Sequence, residues 1–300
     1  MGGGFAPPSR DHSRDEYEAM TIATTCVVAV GVADIRRDPD PTSELVTQAL
    51  MNALANPDEA AGAWTHVTLF DYAGWIHTDQ LEEPIVKGFC KVGVSCGTAL
   101  PYVAVVTVTH TPLYAHAEGG ETVGMVYLST ALPIQDITHP QRLQVALPGE
   151  HLAWLPRDAI AIRDSADPYP QAHVSTVTAF ARSLLGRPYL WGGTSWEGID
   201  CSGFVQLCYR MGGSIIPRDA DQQHDSLPEQ VSRANMREGD LIFFGSERIT
   251  HVGMALNNKE YIHAEGQNYN QVVINSFEPA AAHYYSRLDE IVWAIKRVVI

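Results

Sequence analysis

The 300-residue chain has no run of about 18 apolar residues, the length a helix needs to cross a bilayer, so no membrane-spanning helix is expected. It is poor in cations: 20 Lys and Arg against 35 Asp and Glu leave a formal charge of −15, and no Lys/Arg cluster appears. That balance repels nucleic acid and anionic lipid, and neither is expected as a partner. Cysteine is scarce as well. Cys26, Cys90, Cys96, Cys201 and Cys208 make an odd count with no C-x-x-C pair, which argues against a disulfide framework and a zinc ribbon. The first twenty residues, Met1 to Met20, lack the basic-then-apolar order of a secretory leader. The expectation is a cytoplasmic protein, or a secreted one if a leader has been removed.

What is present is ample material for cores, 45% apolar, in a length that calls for two or three compact units. Residues 1–21, with Gly2-Gly3-Gly4 and Pro7-Pro8, read as a flexible tail. From 22 to 86 come short apolar runs at Cys26–Val32, Leu45–Leu54, Trp64–Phe70 and Gly74–His77, the pattern of a small all-β barrel with an insert near Ala53–Gly62. A second all-β pass over 87–163 runs through Val103–Val108, Leu113-Tyr114, Thr122–Leu128, Arg142–Ala146 and Leu152–Leu155. Residues 164–173, with two prolines and few apolar groups, read as a linker. Beyond it, Val174, Val177, Ala181, Leu184 and Leu185 fall at helical spacing, stopped by Gly186 and Pro188. A second helix follows Cys201, with Val205, Leu207, Cys208 and Met211 inside and Gly212-Gly213 as its stop. Strand-like runs follow at Asp240–Phe244, His251–Leu256, Tyr261–Ala264, Val272–Ile274 and Ile291–Val299. Helices followed by an antiparallel sheet make 174–300 an α+β unit.

Cys201 sits where a Gly-rich loop turns into a helix, so the helix N-terminus is expected to favour its thiolate and a histidine to pair with it. Its neighbours Asp200, Ser202 and Gly203 are polar or small, suiting a thiol exposed to a cleft. Cys208, between Leu207 and Tyr209, reads as a core thiol, and Cys26, Cys90 and Cys96 are assigned to packing too. His251 and His263 can be tested by strand parity. Val252, Met254 and Leu256 form one apolar face and Ile262 and Ala264 continue it, leaving His251, Gly253, Ala255, Tyr261 and His263 on the other, polar one. A three-residue loop, Asn257-Asn258-Lys259, keeps the two histidines together. The chemistry then makes Cys201 the nucleophile, His251 the base that returns its proton to the leaving amine, and His263 the residue that orients His251. Cys201 N–H is a natural oxyanion donor. Zinc also favours Cys with two His, but Asp200-Cys201-Ser202-Gly203 offers no neighbouring ligand, so neither metal nor cofactor is expected.

Trp191-Gly192-Gly193, Asp200-Cys201-Ser202-Gly203 and Thr250-His251-Val252-Gly253, in this order and with His263 twelve residues later, resemble the NlpC-type γ-D-glutamyl peptidases, papain-like cysteine enzymes of bacterial cell-wall chemistry. Ala33–Arg37, Ser43–Gln48, Trp64–Val67 and Gly74–Ile76 resemble strands of a bacterial SH3 domain. The resemblance implies an α+β papain-like catalytic domain preceded by one or two SH3-like barrels. It also implies hydrolysis of the bond from γ-linked D-Glu to a diamino acid, diaminopimelate or lysine, in peptidoglycan stem peptides. Enzymes of this kind that work in murein recycling take the small peptide L-Ala-γ-D-Glu-diamino acid with its L-Ala amine free. On that likeness Asp200, Ser202, Tyr189, Arg218 and Asp219 line the closed end of the cleft, Tyr189 also as a second oxyanion donor, while Ala220 replaces a common serine. A buried ammonium needs anionic partners, and Glu44 of the first unit is the candidate there. Other readings remain open: a secreted hydrolase of polymeric wall, a non-catalytic wall-peptide binder, or amide or acyl transfer on the same fold.

Overall fold

The computed structural model describes residues 25–85 and 102–299; the tail at 1–21, Cys90, Cys96 and residues 87–101 of the second β unit lie outside them. In the first unit the short apolar runs become β1 (Cys26–Val28), β2 (Val32–Arg36), β3 (Leu45–Leu50), β4 (Leu54–Ala61), β5 (Trp64–Thr68), β6 (Ala73–His77) and β7 (Leu81–Glu82). They pair antiparallel in the order β3-β2-β6-β5-β4-β1-β7. Alternation is the cause: along β2, Ala33 and Ile35 are fully buried while Val32, Asp34 and Arg36 stay half-exposed. The expected insert near Ala53–Gly62 is instead β4, which pairs with both β1 and β5. Pro57-Asp58-Glu59 hides the strand from a pattern search because the register shifts between Pro57 and Glu59, a bulge that tolerates a proline.

The second unit contains β8 (Tyr102–Val106), β9 (His110–Tyr114), β10 (Thr122–Tyr127), β11 (Ala131–Asp136), β12 (Arg142–Leu147), β13 (His151–Pro156) and β14 (Ile160–Asp164). Its order, β10-β9-β13-β12-β11-β8-β14, repeats that of the first unit strand for strand. Pro133 and Gln135 mask β11 in the sequence, yet Leu132 and Ile134 alternate into the core. The units share side chains. Met51, in the turn after β3, packs with Leu113, Val126 and Leu143 of the second unit, whose own Val105 and Leu128 join the core of the third.

The third unit consists of α1 (Val174–Ser183), β15 (Thr194–Ser195), β16 (Gly198–Ile199), α2 (Cys201–Met211), α3 (Ala220–Ser226), β17 (Glu229–Gln230), β18 (Leu241–Phe244), β19 (His251–Ala255), β20 (Glu260–Glu265), β21 (Gln271–Ser276), α4 (Ser286–Glu290) and β22 (Val292–Arg297). Its antiparallel sheet runs β17-β22-β18-β19-β20-β21. Val177, Ala181, Phe204, Val205 and Cys208 from α1 and α2 pack with Val252, Met254 and Ile262 of the sheet. Met254 pairs with Ile262, and Leu256 N–H donates to Glu260 O, closing the three-residue loop that leaves His251 and His263 on one face. That face is not polar. Phe244, Ala255, Tyr261, Phe277 and Leu288 build a second core there, so both sides of the sheet are buried.

Candidate active site

α2 begins at Cys201 because Asp200 caps it: Asp200 is extended, and its Oδ1 accepts Gly203 N–H at 2.7 Å, a cap worth about 1 kcal/mol. The same carboxylate accepts Gly192 N–H at 3.0 Å, Ser202 Oγ–H at 3.2 Å, and both Arg218 Nη groups at 3.0 and 2.6 Å. Arg218, 1% exposed, also donates to Ser202 Oγ at 2.8 Å and to Thr47 Oγ1 of β3 at 3.0 Å. The nucleophile loop is thereby tied to the first unit. Gly192 makes the approach possible: its φ is +75°, and a Cβ there would stand 2.3 Å from Leu45 O. The β15–β16 hairpin leading to Cys201 is held by the second unit, where His110 stacks on Trp196 at 4.0 Å between centroids and Tyr127 donates to Glu197.

Cys201 is 7% exposed, so the expected open thiol is corrected to a buried one. The helix start acts against other influences on the thiol. Burial first, then Asp200, pushes the thiol up to about 12, outweighing the hydrogen bonds from Val252 and Ser202 N–H and the Arg218 charge. Burial, followed by His263 and Arg287, drives the His251 imidazole well below its ordinary value. Both directions weigh against the charged form of each group taken by itself.

His251 Nε2 lies 2.7 Å from His263 Nδ1, and His263 Nε2 lies 2.8 Å from Asn275 Oδ1. Burial lowers the fully buried His263 to about 4, against the raising effects of Asn275 and Glu265. Asn275 escaped the sequence reading, although parity could have found it: β21 pairs Val273 with His263, and Asn275 falls two residues on, on the same face. Cys201 N–H, first in α2, has no intrahelical acceptor. Among the described residues no group of His, Cys, Asp or Glu is gathered to hold a metal.

The other expected residues divide by what they touch. Asp200, Ser202 and Arg218 are buried and bonded to one another, which leaves the Asp200 carboxylate five donors and little capacity for a sixth. Tyr189 is half-buried with its ring against Gly266, where a Cβ would stand 2.7 Å away, and burial followed by Cys201 raises its phenol. Asp219 is half-buried with a single side-chain hydrogen bond, at 3.3 Å from Tyr72 O–H of the first unit, and burial raises its carboxyl. Glu44 accepts Trp191 Nε1–H at 2.9 Å and Arg37 Nε–H at 2.7 Å; the Arg37 hydrogen bond holds its carboxyl low. Ala220 opens α3. Tyr72 and Gln223, which donates to Ser202 O at 3.0 Å, were not read from sequence, and Trp191 was read only as part of its Gly-Gly motif, since the contacts join residues 21 and 147 positions apart in the chain.

Residues 186–291 match the NlpC/P60 family, and residues 35–81 match the bacterial dipeptidyl-peptidase SH3 domain. A gamma-D-glutamyl-L-lysine dipeptidyl-peptidase of Bacillus cereus is 28% identical over 236 residues, 74% of this chain and 68% of that protein. A second protein of that name, from Bacillus subtilis, is 42% identical over 85 residues, 27% of this chain and 28% of its own length. The crystal structure of an NlpC/P60 family protein from Bacillus cereus superposes with a TM-score of 0.77 at 22% identity, covering 91% of this chain and 99% of that one, and so shares the fold.

Proposed function

We infer that this chain, whose residues 186–291 are an NlpC/P60 domain and whose residues 35–81 are a bacterial dipeptidyl-peptidase SH3 domain, is a cysteine-type hydrolase that cleaves peptidoglycan stem peptides between γ-linked D-Glu and the diamino acid. The substrate on this reading is L-Ala-γ-D-Glu-diamino acid with its amine free, released wall material undergoing recycling in the cytoplasm. Cys201 Sγ attacks the γ-carbonyl while His251 takes the thiol proton, and Cys201 N–H and the Tyr189 hydroxyl face the developing oxyanion. His251 then gives its proton to the leaving amine, and water, deprotonated by the same ring, releases the acyl group from sulfur.

The observation that carries the free-amine reading is the meeting of Tyr72 and Asp219 across two units. A half-buried carboxylate with one long hydrogen bond is a ready partner for an ammonium, which would reverse the burial effect that now raises its pKa. Glu44, also of the first unit, stands against Trp191. Mass spectrometry of digested L-Ala-γ-D-Glu-diaminopimelate and of its N-acetylated form tests this. Cleavage between D-Glu and diaminopimelate is expected for the free amine, with the acetylated peptide inert. Equal rates on both, or efficient release of peptides from intact sacculi, would replace recycling by hydrolysis of the wall itself.

A further inference from the structure

The Asn275 amide has a forced orientation. Its Nδ2 donates to His283 O at 2.9 Å and to the Tyr269 hydroxyl at 3.3 Å, and a backbone carbonyl can only accept. Oδ1 therefore faces His263 Nε2, which must carry the hydrogen of their 2.8 Å bond. A neutral His263 then has its lone pair on Nδ1, so the 2.7 Å bond to His251 is donated by His251 Nε2–H. The remaining lone pair of His251 is on Nδ1, the nitrogen left to accept the thiol proton.

We propose that Asn275 is a positioning residue for the hydrolytic reaction: its amide fixes the proton arrangement of both imidazoles, so that His251 always presents an acceptor, never a donor, to Cys201. A carboxylate could hold the same ring, but it would also stabilise a charged His263. A doubly protonated His263 has no lone pair at Nδ1, and His251 would have to turn its own proton toward sulfur. An uncharged amide avoids that. It adds to burial, which already keeps His263 neutral to about pH 4, against the one carboxylate that acts on the ring, Glu265 of its own strand. The other polar groups around the pair are His251 on β19, Tyr261 on β20, Tyr269 in the following loop, and Arg287 on α4, whose charge acts on His251.

The inference rests on Cys201 and His251 being the reacting pair, but its test does not need the peptide. Iodoacetamide alkylation of Cys201 as a function of pH reports how readily His251 takes the thiol proton, and kcat and KM on the free-amine peptide are read in parallel. Asn275→Asp should move the acid limb of both profiles upward by more than one pH unit, because the carboxylate charges His263. Asn275→Leu, which removes the acceptor at similar volume, should lower kcat on the order of 100-fold with KM unchanged. Thermal melts identify a variant that has failed to fold, and the other variant then decides. A wild-type acid limb in Asn275→Asp, or one moved downward, would overturn the proposal, as would wild-type kcat in Asn275→Leu or a loss confined to KM. Shifted alkylation profiles in a protein that leaves the peptide uncut would refute the substrate and keep the relay.

Discussion

Replacing Arg218 by Met tests the joint between the first unit and the nucleophile loop. The guanidinium is 1% exposed and makes two bonds to Asp200, one to Ser202 and one to Thr47, all at 2.6–3.0 Å. Met fills the space without the charge. Asp200 is then a buried carboxylate facing only two backbone N–H groups and a hydroxyl, and stranding one member of a buried pair costs about 3–5 kcal/mol. Thr47→Val removes only a bond from the guanidinium to a neutral acceptor and should cost about 1–2 kcal/mol. Urea denaturation followed by circular dichroism gives the comparison, with Asp200→Asn as the partner variant. The double variant Arg218→Met/Asp200→Asn should recover part of the loss, because no charge is left stranded. A cost below about 1 kcal/mol for Arg218→Met, or no recovery in the double variant, would show that the pair does not support the joint as argued.

Cys201→Ala should abolish turnover and His251→Ala should be nearly as severe, while His263→Asn should retain part of the activity and His263→Ala less; steady-state assays that find His263→Asn as inactive as Cys201→Ala would refute orientation as its role. Stability should fall as pH is lowered from about 6.5 toward 4. Across that window His263 is protonated in the unfolded chain and neutral in the folded one, so unfolding takes up a proton, at a cost to stability of about 1.4 kcal/mol per pH unit at most; urea midpoints of wild type and His263→Asn should converge as the pH falls. Gly192→Val should strain the backbone and push Leu45 away, lowering both melting temperature and kcat, whereas Gly62→Ala, at positive φ but with open space around it, should lower only stability.

Local signals made the catalytic unit legible. α1 and α2 have apolar spacing and glycine stops, and the odd loop between β19 and β20 places His251 and His263 together. Where the reading failed, the missing information was non-local. The thiol looked exposed because its neighbours are small, but its burial is imposed by sheet and helices packed around it. The face carrying the histidines looked polar because the residues that cover it, Phe277 and Leu288, come later in the chain. α3 and α4 are short and mostly polar, without a periodic stripe. Likewise β4 and β11 each carry a proline inside a paired strand, which local rules count as a break.

Met51 has a bearing on how this architecture can be taken apart. A side chain rooted in one barrel and buried in the next, with Val105 and Leu128 of that second barrel buried in turn against the helices, means that the units meet through shared apolar cores. Cutting the chain ahead of α1 would leave an oily scar on the isolated hydrolase and another on the barrel pair, each inviting self-association. The tandem therefore behaves as a single cassette: recombination or engineering that lends this catalytic unit to another protein has to carry both barrels with it, or repaint the surfaces they leave behind.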